Sequence, residues 1–368
     1  RLFAERSQTI FETLDHSFMR RDKPGPIGLS LSLGLRGIPR LSATKPFISL
    51  WRELGNVFTD PRLRQLFGRY ATYCGSSPFD APATLMLIAH AERAGVWYVE
   101  GGMQRLAEAV AGAAEKRGAS LRFGMGVSAI RKARNRMLEV VLDDDEVLTA
   151  DAVVYNGDAA ALEGGHLGQA ASKALPSRRR EARSLSAITW SAVAEPQGFP
   201  LEHHNVFFGS DYQAEFSSIF EHGTICAEPT VYVCAQDRGG GQLPSQGQPE
   251  RLFALINAPA TTLDAEMVEQ AQKNAIALLN QQGLRIDFAS SQHVRRLPQD
   301  FAHRFPGSNG AIYGWPTHGW FGSFRRSGAT TKIPGLFCAG GTVHPGPGVP
   351  MAALSGRIAS RQVLDYLS

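Results

Sequence analysis

Ile333-Pro334-Gly335-Leu336-Phe337-Cys338-Ala339-Gly340-Gly341-Thr342-Val343-His344-Pro345-Gly346-Pro347-Gly348-Val349-Pro350-Met351-Ala352-Ala353-Leu354-Ser355-Gly356 is the stretch whose reading decides the fold. Leu336 to Ala339 reads as a buried strand, a short apolar run behind a Pro-Gly turn. Gly340 and Gly341 carry no Cβ, so backbone there can come within contact distance of a bulky ligand. A Gly/Pro turn then leads into a helix whose first turn contains Pro350, where the missing N–H was unpaired in any case. A helix start aimed at a ligand stabilises negative charge on it. Between Lys332 and Arg357 no Asp, Glu, Lys or Arg occurs, a run about as long as a membrane span. Its glycines and prolines would leave backbone groups unpaired in lipid, so burial against protein or ligand is expected instead.

The remaining composition is that of a globular protein. In 368 residues, 43% are hydrophobic and 20% charged, enough for a large core and two domains. A net charge of +4 is too small for a nucleic-acid reader unless concentrated on one face. The clusters Arg178-Arg179-Arg180 and Arg20-Arg21 read as solvated faces or helix ends in preference to phosphate or lipid-headgroup contacts. Cys74, Cys226, Cys234 and Cys338 are widely spaced, which suits neither a disulfide framework nor a zinc site, and a reducing compartment is expected. His203-His204 raises a metal site, but adjacent residues on a strand face opposite ways, so no metal is expected. The chain opens at Arg1, within a helical pattern and without a charged-then-apolar leader, as a cut terminus would.

Along the chain, helical periodicity covers Leu2 to Met19, Pro61 to Tyr73 and Ala81 to Ala94. Between them, Pro24 to Trp51 interleaves Ile27, Leu29, Leu31, Leu33, Leu35 and Phe47 with glycines and the cations Arg36, Arg40 and Lys45. It is either a core segment with loops or an apolar surface that enters a bilayer or lines a tunnel mouth. From Val96 the pattern is strand and turn, a helix from Met103 to Arg117, and a strand from Leu121 to Ile130. Strands at Glu139 to Leu142 and Asp151 to Tyr155 flank the turn Asp143-Asp144-Asp145, and the second runs into Asn156-Gly157-Asp158, a usual place for a ligand. From Leu162 to Pro298, strands at 187–194, 205–208, 230–234 and 252–257 and a helix at 265–282 suggest a sheet-based substrate domain. Gly239-Gly240-Gly241 to Pro249 reads as a surface loop.

The stretch from Ile333 to Gly356 is similar to the C-terminal signature of phytoene desaturases and related carotenoid oxidoreductases. Its prelude, Arg304 to Gly314, Thr317 to Trp320 and Ser323 to Arg326, looks most like the 1-hydroxycarotenoid 3,4-desaturase branch. Tyr70 to Pro78, with Gly95 to Tyr98, resembles the family's central region, and Gly101-Gly102 to Leu106 resembles a helix start of flavin amine oxidases. Thr342 follows Gly341 where many related flavoproteins have an Asp, and the carotenoid branch also lacks it.

The resemblance implies an α/β fold: a Rossmann-like FAD-binding domain in two segments, 96–161 and 299–368, with a substrate domain of helices (1–95) and antiparallel sheet (162–298). It implies FAD contacts at Val127, Asn156, Gly340, Gly341, Gly348, Val349, Met351 and Ala352, with the helix start facing the reduced isoalloxazine. The first βαβ unit with G-x-G-x-x-G is absent from this sequence, so the chain as written is expected to bind FAD weakly or not at all. Desaturation takes a hydride and a proton from adjacent carbons, and His344 and His318 are the candidate proton acceptors, although a hydrogen-bonding strut is the commoner role for a histidine in such a Gly/Pro loop. Trp315, Trp320, Phe321 and Phe324 either line a polyene channel or pack a core. The implied substrate is an acyclic carotenoid such as a 1-hydroxy or 1-methoxy neurosporene, met by monotopic attachment at the cytoplasmic face of a bacterial inner or photosynthetic membrane. The electron acceptor is not read. Phytoene desaturation, flavin-dependent isomerisation and non-catalytic isoprenoid binding are the alternatives.

Overall fold

The computed structural model describes residues 1–34, 38–178, 182–239, 247–288 and 291–368. Leu35 and Arg36 of the apolar segment, Arg179 and Arg180 of the arginine cluster, and Gly240 and Gly241 of the glycine loop lie outside the described residues.

The first part is helical: α1 (Leu2–Leu14), α2 (Pro26–Leu33), α3 (Ile38–Ala43), α4 (Leu50–Val57), α5 (Pro61–Gly68) and α6 (Leu87–Ala94). Phe3, Ser7, Ile10 and Leu14 fall on one stripe of α1, and its apolar members meet Leu50, Leu54, Leu85 and Met86 in a shared core. The three long helices expected here are shorter. The first loosens into a π turn at Asp15–Met19, where Arg20 N–H donates to the Asp15 carbonyl. The second tightens into a 3-10 turn at Arg69–Cys74 that Gly75 closes at φ 65°, and the third begins as one at Ala83–Met86 behind Pro82.

In α7 (Met103–Glu115) no residue is buried, and Met103, Leu106 and Val110 face solvent. A small antiparallel sheet follows: β1 (Val127–Lys132), β2 (Leu138–Leu142) and β3 (Val147–Ala150). Here the expected strands are corrected. Residues 96–98 and 121–126 are not strands, for among the described residues no strand lies beside them to complete a ladder. The acidic turn joins β2 to β3, with Asp145 at φ 68°. The next strand, β4 (Val153–Tyr155), belongs to a different sheet, and α8 (Ala159–Gly164) follows it, capped by the Asp158 side chain.

The largest sheet has five antiparallel strands in the order β11-β5-β9-β8-β7: β5 (Ser186–Ala194), β7 (His204–Phe207), β8 (Val231–Ala235), β9 (Glu250–Ala258) and β11 (Gln292–Arg296) among the described residues. Alternate residues of β9, Leu252, Ala254 and Ile256, face inward with Ile188, Val231 and Val233. Covering them is α10 (Ala265–Gln281), which presents Val268, Ala271, Ala275, Leu278 and Leu279 at helical spacing and is capped by Asp264 accepting from Met267 N–H at 2.7 Å. Each buried Leu there contributes about 1.5–3 kcal/mol. The short α9 (Tyr212–Phe220) crosses between β7 and β8, and β6 (Gln197–Gly198) pairs with β10 (Leu284–Arg285). After α11 (Pro298–Arg304) the chain returns to β4 through β12 (Leu336–Cys338) and ends in α12 (Val349–Leu367).

Candidate active site

β12 pairs in parallel with β4, Leu336 opposite Val153 and Cys338 opposite Tyr155, so the two strands end level and their following turns meet. Asn156 donates its side-chain N–H to the Ala339 carbonyl at 3.1 Å. Gly340 adopts φ 118°, and its N–H donates to the buried Ser355 hydroxyl of α12 at 3.1 Å, tying the Gly pair to that helix. Thr342 has a structural duty: its hydroxyl accepts from Ala159 N–H at 3.1 Å, locking the start of α8 to the loop. Gly348, at φ 107°, opens α12 without a side-chain cap, and it and Val349 are exposed. Met351 and Ala352, half-buried, follow in the first helical turn. Asn156, Gly340, Gly341, Gly348, Val349, Met351 and Ala352 thus belong to one loop-and-helix-start assembly. Val127 opens β1 on a separate sheet and is 38% exposed.

Arg326 went unread beyond its motif, yet it lies at the centre of this assembly, 2% exposed. Its guanidinium donates to the carbonyls of Trp315 (2.9 Å), Tyr313 (3.2 Å) and Gly341 (3.4 Å). Burial pushes its pKa down to about 10; Arg178 lowers it further, while Cys74 and Asp158 oppose. In the sequence it is one of an adjacent pair, Arg325-Arg326, and nothing local tells the buried member from the other. Arg178, read as solvent-facing, is instead buried: its guanidinium lies 4.4 Å over the Trp315 ring, and Arg183 lies 4.7 Å over the same ring. Trp315 is therefore a core residue beneath two cations, and no channel wall.

The two histidines are engaged. His344 is 2% exposed, with Nε2 3.0 Å from the Phe18 carbonyl and its ring edge-on to Phe18 at 4.8 Å. Burial lowers its pKa, and the backbone carbonyls of Phe18 and Arg21 resist the shift only in part. His318 Nε2 accepts from Ser77 N–H at 3.0 Å, which fixes the neutral ring with its proton on Nδ1. Burial lowers its pKa too, against Asp80.

Beyond Phe18 lies an apolar cleft of about 690 Å³, lined by Leu14, Phe18, Leu29, Phe47, Trp320 and Phe324 among others. Phe324 packs edge-on to Phe18 at 5.2 Å, so the cleft and the Gly/Pro loop share one wall made of Phe18. Phe321 packs on Trp320 at the rim. Pro26, Leu29 and Ser30, with Leu41, Ser42 and Thr44 to Ile48, form the other side of the cleft, and Ile27 is 77%, Leu31 77% and Phe47 74% exposed. Among the described residues no helix is long and apolar enough to cross a membrane.

The family described as flavin containing amine oxidoreductase matches residues 50–219. Over 99% of its length the chain is 44% identical to a hydroxyneurosporene desaturase of Rubrivivax gelatinosus, spanning 70% of that relative. The chain belongs to the carotenoid desaturase family. It is 43% identical to a second hydroxyneurosporene desaturase, from Cereibacter sphaeroides, over 100% of this chain and 74% of the other. A 1-hydroxycarotenoid 3,4-desaturase of Flavobacterium sp. is 30% identical over 98% of this chain and 76% of its own. Wild-type putrescine oxidase bound to putrescine overlays with a TM-score of 0.53 at 13% identity, covering 100% of this chain and 76% of that one, a likeness of fold. The expected α/β flavoprotein fold, the enzyme class and FAD as the family's cofactor therefore hold.

The residues present fit the isoalloxazine side of FAD. A side chain at Gly340 would collide with Asn156, whereas nothing lies within 4 Å of a Cβ on Gly348, and the uncapped start of α12 offers free N–H groups. No G-x-G-x-x-G motif occurs in the sequence.

Proposed function

We propose that the protein desaturates an acyclic carotenoid, introducing the C3–C4 double bond of a 1-hydroxy or 1-methoxy neurosporene-type substrate. The observation that carries this reading is the apolar cleft ending at Phe18, directly behind the glycine loop of a desaturase-family flavin site. A rigid polyene fits such a cleft, which orients one saturated C–C bond and excludes water from it. Bound FAD supplies the hydride acceptor. Gly340, Gly341, Gly348, Val349, Met351 and Ala352 would hold its ring portion, with Asn156 supporting the glycine turn and Val127 on the adenine side. His344 positions the loop through Phe18, a role favoured over proton acceptance because its Nε2 already serves the Phe18 carbonyl.

The exposed Ile27, Leu31 and Phe47 support monotopic attachment at the cytoplasmic face of the membrane that dissolves the substrate. The test is expression of the complete gene in cells that accumulate 1-hydroxyneurosporene. A longer conjugated chain, seen as a red shift of the polyene absorption, is expected; an unchanged chromophore, or a change of isomer without oxidation, would reject it.

A further inference from the structure

His203 and His204 do not alternate across a strand, contrary to the reading of their sequence. β7 begins at His204, and His203 precedes it at the open edge of the sheet. The Ala235 carbonyl lies 3.0 Å from His203 Nδ1, and a carbonyl can only accept. Nδ1 therefore carries the proton, and Nε2 presents its lone pair towards Cys234 Sγ at 3.8 Å. The sheet register places His204 directly opposite Cys234, on the same face, so the second imidazole converges on the same sulfur. The two rings are 4.3 Å apart. One ligand atom from each of His203, His204 and Cys234 lies within 4.8 Å of the others.

We propose that His203, His204 and Cys234 form a binding site for one zinc-type divalent ion. Zinc takes imidazole nitrogen at about 2.0–2.1 Å and thiolate at about 2.3 Å in a tetrahedron. Donors must then lie roughly 3.3–3.7 Å apart, so the three close by no more than about 1.5 Å. The second shell that such a site needs is already built. His203 is held in the metal-binding tautomer by a backbone carbonyl, and His204 Nδ1 is paired with the Tyr232 hydroxyl at 2.7 Å. The fourth position is left to water. Binding exchanges the Cys234 thiol proton for the metal, with no change of oxidation state. Nothing in the flavin site is required, since the cluster sits on β7 and β8, apart from the glycine loop.

Calorimetric titration of the purified protein with zinc chloride tests this, alongside cobalt(II) absorption, which shows a thiolate-to-metal charge-transfer band only if sulfur is a ligand. One zinc per chain is expected, with affinity lowered at least about ten-fold in Cys234→Ser and His203→Ala and unchanged in Cys226→Ser. Zinc should also raise the melting temperature of the parent protein and not of Cys234→Ser, with circular dichroism confirming that the variants are folded. Absence of saturable binding overturns the proposal, as does binding that survives Cys234→Ser unaltered or a cobalt complex without the thiolate band.

Discussion

A methyl group on Gly340 would lie 2.9 Å from the side-chain nitrogen of Asn156, the atom that holds the Ala339 carbonyl. The glycine is required twice over, because its φ of 118° is also closed to ordinary side chains. Gly340→Ala should therefore cost about 1–3 kcal/mol of local strain and push the two turns apart. Affinity for added FAD, read by fluorescence titration, should fall by about ten-fold or more, whereas Gly356→Ala, in open space on α12, should leave it unchanged.

Arg326 supports the same loop from beneath. Its charge is buried and satisfied entirely by carbonyls in the contacts described, including that of Gly341. Arg326→Met removes the donors and leaves those oxygens unpaired, which should destabilise the fold by about 3–5 kcal/mol. Arg326→Lys keeps the charge but cannot reach three carbonyls at once. It should melt lower than the parent and, in the folded fraction, carry less flavin. Equal melting curves for parent and Lys variant would show that the fork geometry is unimportant.

What could be read from sequence was what local spacing encodes. Leu336 to Gly356 contains its strand, turn and helix start in one uninterrupted run, and the alternation in β9 and the stripe of α10 announce their buried faces. What could not be read depends on distant partners. The pairing of β4 with β12 joins residues about 180 positions apart, so spacing alone shows a strand ending at Tyr155 but not its partner, and it misses that Val147–Ala150 is the strand on the acidic turn. Arg178 reads as surface in the sequence because the ring beneath it, Trp315, arrives from a distant part of the chain. His344 meets its acceptor on Phe18 across the whole molecule, so the Gly/Pro context favours a strut but cannot name the carbonyl it holds.

Stability should carry the signature of His344. Burial lowers its folded pKa below the ordinary 6.5, so the unfolded chain takes up the proton first as pH falls. The stabilising contribution of the neutral ring is complete above pH 6.5 and is lost as pH drops from there towards the folded pKa. His344→Gln, which has no proton to gain, should lose less stability than the parent between about pH 7 and pH 5. Urea unfolding at both pH values measures this; parallel losses would mean that His344 titrates normally in the fold.

The rim of the cleft offers a separation of folding from membrane contact. Ile27, Leu31 and Phe47 are each about three-quarters exposed, so replacing them with Ser removes little buried area and should shift stability by no more than about 0.5 kcal/mol apiece. Leu33 is a poor choice for the same purpose because it packs against the helical core. If these three side chains insert into lipid, each contributes transfer free energy of roughly 1.5–3 kcal/mol, and the triple Ser variant should leave liposomes almost completely in a flotation assay. Ser42→Trp, placed on the cleft wall, should do the reverse: membrane binding stays while carotenoid no longer enters. A triple variant that still floats with vesicles would move the membrane contact elsewhere, and a Trp variant with undiminished turnover would remove the cleft from the substrate path.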